Sequence, residues 1–330
     1  MHSRMKRLIV LTTSLMVCFC LGSATVTLAD EYPSRPIQII VPWSAGGAVD
    51  SVARLVGQKL SDAVGKPVVV ENKTGASGNI GVQFVVKSQA DGYTLLLSSL
   101  TTHAINMTLL SKTIGYDLRK DLIPIGVIGN MPMILLLNSS VPANSLQQLI
   151  ALAKQKPDKL TYATSGMGTP EHCAAELFKM QAGIQMLHVP YKGGPPAMLD
   201  LLGGRVDMYF ATTATATVNI SNPRIKAIAT TSVQRIPTFP ELPTMREGGL
   251  PEFEAATRHA IWAAAGTPPA IVQRLNAEVQ KVLQLPEVKS KYSMLGITPM
   301  LNTPAEAIRV VNSEVDKWAK VIAAGGIKVE

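Results

Sequence analysis

Short apolar runs alternate with segments of helical periodicity along the first third of the chain. Runs typical of strands occupy residues 37–41, 68–71 and 93–97, and each is followed by a glycine-rich or polar loop. Between them, apolar residues recur at helical spacing over 51–64 and again from Ile80 onwards. Strands and helices in regular alternation favour an α/β fold with a parallel, doubly wound sheet.

The same alternation continues towards the C-terminus. Further strands are expected at 160–163, 186–189, 206–210, 225–230 and 260–265, and further helices at 146–154, 197–202, 270–283 and 304–324, with one more beginning at Pro170. A mature chain of about 300 residues is of the size at which a single core divides. We therefore expect two α/β domains.

Two features indicate where the chain passes between these domains. Apolar runs at 123–128 and 133–137 are separated by Gly129-Asn130-Met131-Pro132, and prolines from 237 to 251 mark irregular chain. We place one crossing at each. The prediction is two doubly wound sheets joined by two crossover segments, with residues 30–130 and 253–330 in one lobe and 131–252 in the other.

The first 29 residues have the pattern of a secretory signal peptide. Arg4, Lys6 and Arg7 precede an apolar core at 8–22, and small residues at 27–29 suit a cleavage site. Because the apolar core is short for a membrane span, we expect cleavage and export from the cytoplasm.

The predicted mature chain is mildly basic. Cleavage would leave 28 basic and 23 acidic residues, a net charge of +5. This balance favours anionic ligands, but the Lys/Arg clusters interleaved with aromatic residues that are typical of nucleic-acid binding are missing. Only Cys173 would remain of the three cysteines, so no intramolecular disulfide is expected.

Two glycine-containing turns are the best candidates for a binding site. One carries Gly46-Gly47 between a strand and a helix; the other carries Gly166-Met167-Gly168, followed by Thr169 as N-cap and Pro170 at the first helical position. Helix N-termini with free amide groups bind anions, and glycine lets a ligand come close to the backbone. On two facing lobes, these turns would enclose a carboxylate without any charged side chain.

Several polar and aromatic residues near these turns have more than one interpretation. Asp50 either complements the helix dipole or caps the helix, or it orients the loop, or it accepts a hydrogen bond from a hydroxyl or amine group of a ligand. His172 either stands beside a bound carboxylate or is a solvent-exposed helix residue. Trp43 and Tyr191 either line a cleft or belong to ordinary packing.

The sequence carries no pattern that favours catalysis or a cofactor. His103 and His188 have no partner at metal-ligand spacing, and neither turn matches a dinucleotide-binding or P-loop motif. Ser165 lacks the Gly-x-Ser-x-Gly pattern of hydrolases, and the adjacent residues His172 and Cys173 would not face each other on a helix. We predict no metal, no cofactor and no catalytic residue, with an exported α/β enzyme as the alternative from another class.

Six segments stand together in the order of a known family. They are Tyr32-Pro33-Ser34-Arg35-Pro36-Ile37, Trp43-Ser44-Ala45-Gly46-Gly47-Ala48-Val49-Asp50, Val70-Glu71-Asn72-Lys73-Thr74-Gly75-Ala76, Asp91-Gly92-Tyr93-Thr94-Leu95, His188-Val189-Pro190-Tyr191-Lys192-Gly193 and Ala265-Gly266-Thr267-Pro268-Pro269. With them the chain resembles the Bug-type substrate-binding proteins of tripartite tricarboxylate transporters over essentially its whole mature length. The resemblance implies a two-lobed, type II-like periplasmic-binding-protein fold and a monomeric periplasmic receptor for a small organic carboxylate. It also implies delivery to the membrane permease subunits of such a transporter, or alternatively to a signalling partner.

The resemblance assigns the ligand carboxylate to the two turns. Ser44 to Asp50 and Ser165 to His172 match the binding loops of the family, and the neighbourhoods of His103 and Tyr191 match cleft positions. The expected ligand-binding residues are Trp43, Ser44, Ala45, Gly46, Gly47, Asp50, Thr101, His103, Ser165, Gly166, Gly168, Thr169, His172, Tyr191 and Thr212.

Two segments depart from the family pattern. Ser44-Ala45 replaces the usual Pro-Pro, and Ala211-Thr212-Thr213 stands where the family usually has an Asp-Asn-type pair. The loss of a carboxylate at the second position predicts a less negative distal end of the cleft. Such a cleft favours a neutral, apolar or second acidic group of the ligand over an amine.

We therefore expect an amino acid to bind more weakly than its des-amino analogue, because no carboxylate at that end would pair with the ammonium group. Isothermal titration calorimetry with a matched pair of such ligands measures the difference. Tighter binding of the amino acid would contradict the prediction.

Overall fold

The apolar run at 37–41 forms a buried strand that leads into the first glycine turn and its helix. In the computed structural model, which describes residues 32–328, this strand, β1, spans Ile37–Val41 and the helix, α1, spans Ala48–Val64. Val52, Val56 and Leu60 are buried along one face of α1, as their helical spacing predicts. The predicted strand, turn and helix are thus all present.

The remaining strands alternate with helices along the chain. The strands are β2 (Val68–Asn72), β3 (Thr94–Ser99), β4 (Leu122–Asn138), β5 (Thr161–Thr164), β6 (Leu187–Pro190), β7 (Met208–Thr212), β8 (Ile225–Thr230), β9 (Ala256–Ala264) and β10 (Thr298–Pro299). The helices are α2 (Asn79–Val86), α3 (Leu100–Leu109), α4 (Leu146–Gln155), α5 (Pro170–Ala182), α6 (Gly194–Leu202), α7 (Thr213–Asn219), α8 (Pro269–Gln284), α9 (Pro286–Met294) and α10 (Pro304–Gly325), with a 3-10 turn at Ala76–Gly78. This order confirms the predicted α/β class.

These strands form a mixed sheet in the order β2-β1-β3-β9-β4-β7-β5-β6, with β8 and β10 also paired to β4. β1 is parallel to β2 and β3, and β5 is parallel to β6 and β7. β9 is antiparallel to β3, and β4 is antiparallel to β7, β8 and β9. The centre of the sheet is therefore antiparallel, whereas the sequence predicted parallel strands. The two central strands, β4 and β9, each cross between the halves and pair antiparallel with β7 and β3, respectively.

Strand β4 joins the two apolar runs that the sequence separates. Its residues 122–132 pair with β9, whereas residues 133–138 pair with β7 and β8. The Gly-Asn-Met-Pro segment lies inside the strand, and the register shifts between Pro124 and Gly126 and between Val127 and Gly129. Bulges of this kind bend a strand without ending it. The chain passes from one half to the other through β4 and returns through β9, while the lobe boundaries stay a prediction.

The apolar core lies on both faces of this sheet. One cluster of buried side chains contains Trp262 and Trp318, and a second contains Tyr209. Leu135 of β4 packs in the first cluster and Leu136 in the second, because successive side chains of a strand point to opposite faces. The same strand therefore supports both faces of the sheet.

Three helices, α3, α7 and α9, have no counterpart in the sequence prediction. The buried side chains of α3 include the polar residues Thr101, His103 and Asn106, so its buried face does not appear as an apolar stripe. The short α7 is built of Thr, Ala, Val and Asn, which gives no apolar stripe. The helix α9 begins directly after α8 at a proline and is mostly polar. Periodicity gives no signal for α7 and α9, because few of their side chains are buried.

All these elements belong to one unit that begins at Arg35. Between residues 32 and 328, no helix has the length and apolar character needed to cross a membrane. The predicted signal peptide, residues 1–29, lies outside the described part of the chain.

A buried carboxylate ties α10 to the crossing strand β9. Glu314 is 1% exposed and contacts the guanidinium group of Arg258 and the ammonium group of Lys317. Trp318 Nε1 donates a hydrogen bond of 3.0 Å to Glu314 Oε2, and the Thr101 hydroxyl donates one of 3.2 Å to the same oxygen. Burial alone would raise the pKa of Glu314, but the two cations hold it below its usual value. The ionised group therefore joins α3, β9 and α10.

Replacing Glu314 by glutamine should destabilise the fold strongly, because Arg258 and Lys317 would lose the charge that compensates them. We expect the free energy of unfolding in urea to fall by about 3 kcal/mol. Asp316→Asn on the same helix is the matched control: its side chain is 64% exposed and pairs with Arg119. Its loss should stay below about 1 kcal/mol, and equal losses in the two variants would contradict this role of Glu314.

Candidate functional site

Four helices begin at the wall of one cleft. The cleft has a volume of about 710 Å³, and its lining includes the N-cap residues Gly47 of α1, Ser99 of α3, Thr169 of α5 and Thr212 of α7. The first amide groups of a helix have no partner within it and carry the positive end of its dipole. Backbone groups therefore give the cleft partial positive charge.

The start of α1 is the least protected of these N-termini. The three hydroxyl caps each accept a hydrogen bond from the amide three residues further on, at 3.1 to 3.4 Å. Gly47 has no side chain that could do so, and the next two residues, Ala48 and Val49, line the cleft. The amides at the start of α1 are thus left for a ligand.

Both carboxylate oxygens of Asp50 are used to fix this first turn. Oδ2 accepts hydrogen bonds from the Gly46 amide and from Arg54 Nε, each at 2.9 Å, and Oδ1 accepts one of 2.9 Å from Asn72. Burial alone would raise the pKa of Asp50, but these partners lower it to about 2. Of the interpretations left open by the sequence, the geometry favours the one in which Asp50 orients the loop. The Gly46 amide is therefore not free for a ligand.

Trp43 lines the cleft and rests on a buried histidine. Its ring centroid lies 5.3 Å from that of His103, whose Nδ1 is 3.1 Å from the Tyr116 hydroxyl. His103 is fully buried and does not line the cleft, and burial lowers its pKa to about 3. A Cβ on Gly78, which has a φ of 87°, would lie 3.2 Å from each of the two rings, so a glycine allows this close packing.

The second turn also reaches the cleft, although its amides are largely used within the loop. Ser165, Gly168 and Thr169 line the cleft. The Gly166 amide donates to Thr164 Oγ1 at 3.3 Å, and the Gly168 amide donates to His172 Nδ1 at 3.1 Å. This half of the expected clamp therefore offers fewer free amides than the first.

His172 shapes the second turn from behind. It is buried, not exposed, and its ring stacks on His188 with centroids 4.0 Å apart. The pKa of His172 is lowered to about 3, mainly by burial and to a smaller extent by the nearby His188 and Lys179. The neutral ring accepts the Gly168 amide through Nδ1 and so holds the loop at the cleft wall.

Six further predicted residues lie outside the cleft lining. Gly166 is one of them, and Ser44, Ala45 and Gly46 are exposed residues of the first loop that do not line the cleft. Thr101 is buried, where its hydroxyl accepts the Arg258 amide at 2.9 Å. The Tyr191 hydroxyl donates to Asp200 at 2.7 Å. The structure thus brings Trp43, Gly47, Asp50, Ser165, Gly168, Thr169 and Thr212 to one wall, and their contact with a ligand stays a prediction.

Some cleft residues were missed by the sequence analysis. Glu171 lines the cleft and accepts a hydrogen bond of 2.8 Å from the Ser165 hydroxyl, so the cleft does contain a carboxylate. Thr257 and His259 line it from β9, in a region where the predicted strand begins too late. Ser99 and Thr102 also line the cleft. They belong to the polar segment at the end of β3, and this segment could have indicated them as cleft residues.

The cleft can hold an anion through neutral donors, since its charged lining residues are the carboxylates of Asp50 and Glu171. Among the residues that the structure describes, no lysine or arginine lines this cleft. In the same part of the chain, no group of three His, Cys, Asp or Glu side chains is placed to hold a metal ion. What the arrangement offers is a set of amide and hydroxyl groups at converging helix N-termini, which bind carboxylates without a cationic side chain.

A comparison with family models identifies the chain. The model described as tripartite tricarboxylate transporter family receptor matches residues 52–327. The chain belongs to this family. It is 38% identical over 310 residues to protein BugT of Bordetella pertussis, which covers 94% of this chain and 95% of that protein. The resemblance to the Bug-type receptors is thereby confirmed.

Solved structures of relatives show the same fold. R. palustris Rpa4515 with adipate has a TM-score of 0.74 and 35% sequence identity, covering 90% of this chain and 99% of that chain. MatC from Rhodopseudomonas palustris with bound malate has a TM-score of 0.70 and 29% identity, covering 88% of this chain and 100% of that chain. The two-lobed periplasmic-binding-protein fold expected for this receptor is confirmed.

Asp50→Asn should remove a part of the stability that depends on pH. A carboxylate whose pKa is lowered from 3.8 to about 2 stabilises the fold above about pH 4, and this contribution is lost as the pH falls towards 2. In urea denaturation, we expect the variant to be less stable than the wild type by about 2 kcal/mol at pH 7 and equally stable near pH 2. Asp62→Asn, an exposed position on the same helix, is the control. A deficit of Asp50→Asn that does not change with pH would argue against the ionised pair.

Proposed function

We propose that this chain is a periplasmic receptor that captures a small organic carboxylate in its cleft and delivers it to a tripartite tricarboxylate-type permease. The observation that carries the proposal is the uncapped N-terminus of α1, whose first residues Ala48 and Val49 line a cleft that also contains Thr169 at the start of α5. A carboxylate there would be solvated by backbone donors from both halves of the sheet.

Two solved relatives support the ligand class. The structure of Rpa4515 was described with adipate and that of MatC with malate, both of them dicarboxylates. The cleft volume of about 710 Å³ is large enough for acids of this size. We infer that this receptor also binds a small carboxylate. The shape of the cleft would decide how long a carbon chain the ligand can have.

The family supports the transport role. Receptors of this family serve tripartite tricarboxylate transporters, and the predicted signal peptide at 1–29 would export the chain to the periplasm. Closure of the two lobes around the ligand would distinguish the loaded receptor from the empty one for the permease. We propose that the receptor works as a monomer and releases its ligand unchanged.

Ala48→Pro tests the proposal by deleting one amide donor while keeping the helix. Proline is well tolerated at the first helical position, where α5 and α10 already carry it. Gly47 has a φ of −74° and a ψ of 170°, the extended conformation that a residue before proline prefers. We expect adipate or malate to bind about 10- to 100-fold more weakly in calorimetry, because one hydrogen bond to a charged group is lost.

Ala48→Gly is the matched control, because it changes the side chain but keeps the amide, and its affinity should remain near that of the wild type. The melting temperature of both variants without ligand shows whether the fold is intact. Equal affinities for the acids in the proline and glycine variants would contradict the assignment of the carboxylate to α1.

A further inference from the structure

A buried histidine borders the cleft without any hydrogen-bond partner. His259 of β9 is 1% exposed and lines the cleft, and its Nδ1 is buried with no partner among the described residues. Native proteins rarely leave a buried polar group unpaired. No hydrogen bond within the described residues uses the other ring nitrogen, Nε2, either, so the side chain is a candidate for contact with a molecule that enters the cleft.

The position of His259 follows from strand alternation. Thr257 and His259 both line the cleft, whereas Arg258 between them bonds Glu314 of α10. Gly129 lies opposite His259 in the β4–β9 pair, and a Cβ there would be 3.7 Å from His259 Nδ1 and 2.7 Å from Ile297. Nδ1 is thus directed towards β4, which leaves Nε2 as the nitrogen that a ligand can reach.

The ring acts as a neutral donor. Burial lowers the pKa of His259 to about 4, so the ring carries a single proton at physiological pH. The residues opposite it on the neighbouring strands, Ser99 of β3 and Gly129 of β4, bear no charge. The proton belongs on Nε2, because an N–H at Nδ1 would be buried without an acceptor. His259 therefore offers one N–H to the cleft.

Apolar side chains line part of the same cleft. They are Leu109, Leu110, Met131 and Met167, and no lysine or arginine of the described residues is among the lining residues. A ligand oxygen placed among these side chains would lose its water, so a hydrogen bond from His259 would decide whether such an oxygen is accepted.

We propose that His259 is a specificity-determining residue whose Nε2–H donates a hydrogen bond to a second oxygen group of the ligand, in addition to the carboxylate held by α1. The receptor then prefers acids with a second acceptor, such as linear dicarboxylates, over monocarboxylates of equal length. This inference rests on the proposed function, since it assigns the second contact of the same ligand.

Three probes of equal chain length separate the contributions: adipate with two carboxylates, monomethyl adipate with a neutral second acceptor, and hexanoate with none. Calorimetry should show that the wild type prefers adipate and monomethyl adipate to hexanoate. His259→Phe should weaken adipate and monomethyl adipate at least tenfold and leave hexanoate unchanged. His259→Gln, which restores an N–H donor, should recover part of the preference.

A second readout separates ligand contact from a structural role. His259→Phe removes an unpartnered nitrogen, so the melting temperature of the empty protein should not fall. In nitrogen-15 NMR, adipate should shift the Nε2 resonance of His259 in the wild type, whereas hexanoate should not.

The outcomes distinguish this inference from the function on which it rests. If the acids bind but the preference for adipate over hexanoate is the same in His259→Phe, the role of His259 is refuted and the proposed function stands. If none of the three acids, nor malate, binds the folded wild type, the proposed function fails and the inference fails with it.

Discussion

The antiparallel pairing of β4 with β9 is the constraint on which the rest of the structure depends. β4 leaves the first half of the sheet and ends in the second, and β9 makes the return. Four strands, β1, β3, β5 and β7, are each followed by a helix whose N-cap residue lies at the cleft. This arrangement places the N-termini of α1, α3, α5 and α7 around one cleft. Glu314 fixes the back of β9 through Arg258, so the cleft floor is held rigidly to α10.

The donors that the cleft offers to an anion come mainly from the backbone, and several side chains hold that backbone in place. The Asp50 carboxylate accepts hydrogen bonds from Arg54 and from the Gly46 amide, and His172 Nδ1 accepts one from the Gly168 amide. Under the proposed function, no fixed cation would have to be separated from the departing carboxylate. The proposed selectivity then depends on neutral groups of the wall such as His259, whose Nδ1 is buried without a partner.

The sequence predicted the candidate site partly. It identified both turns and the cap Thr169, because strand–glycine–helix patterns are local, whereas Thr212 was named from the family resemblance and not as a helix cap. It did not predict that His172 would be buried behind its turn or that Thr101 would bond β9, because both depend on contacts between residues far apart in the chain. Thr257 and His259 also escaped it, since a strand that crosses between two halves carries polar residues where it passes the cleft.

By itself, the sequence determined the α/β class, most helices and strands to within a few residues, the family and the two glycine turns that reach the cleft. These features follow from local periodicity, from capping residues and from motifs that are continuous in the chain. Only the tertiary structure decided that the runs at 123–128 and 133–137 form one strand, that the central strands are antiparallel, and which polar groups face the cleft. Strand direction and side-chain exposure are set by pairing across more than a hundred residues, as between Gly129 and His259, and no local pattern contains that information.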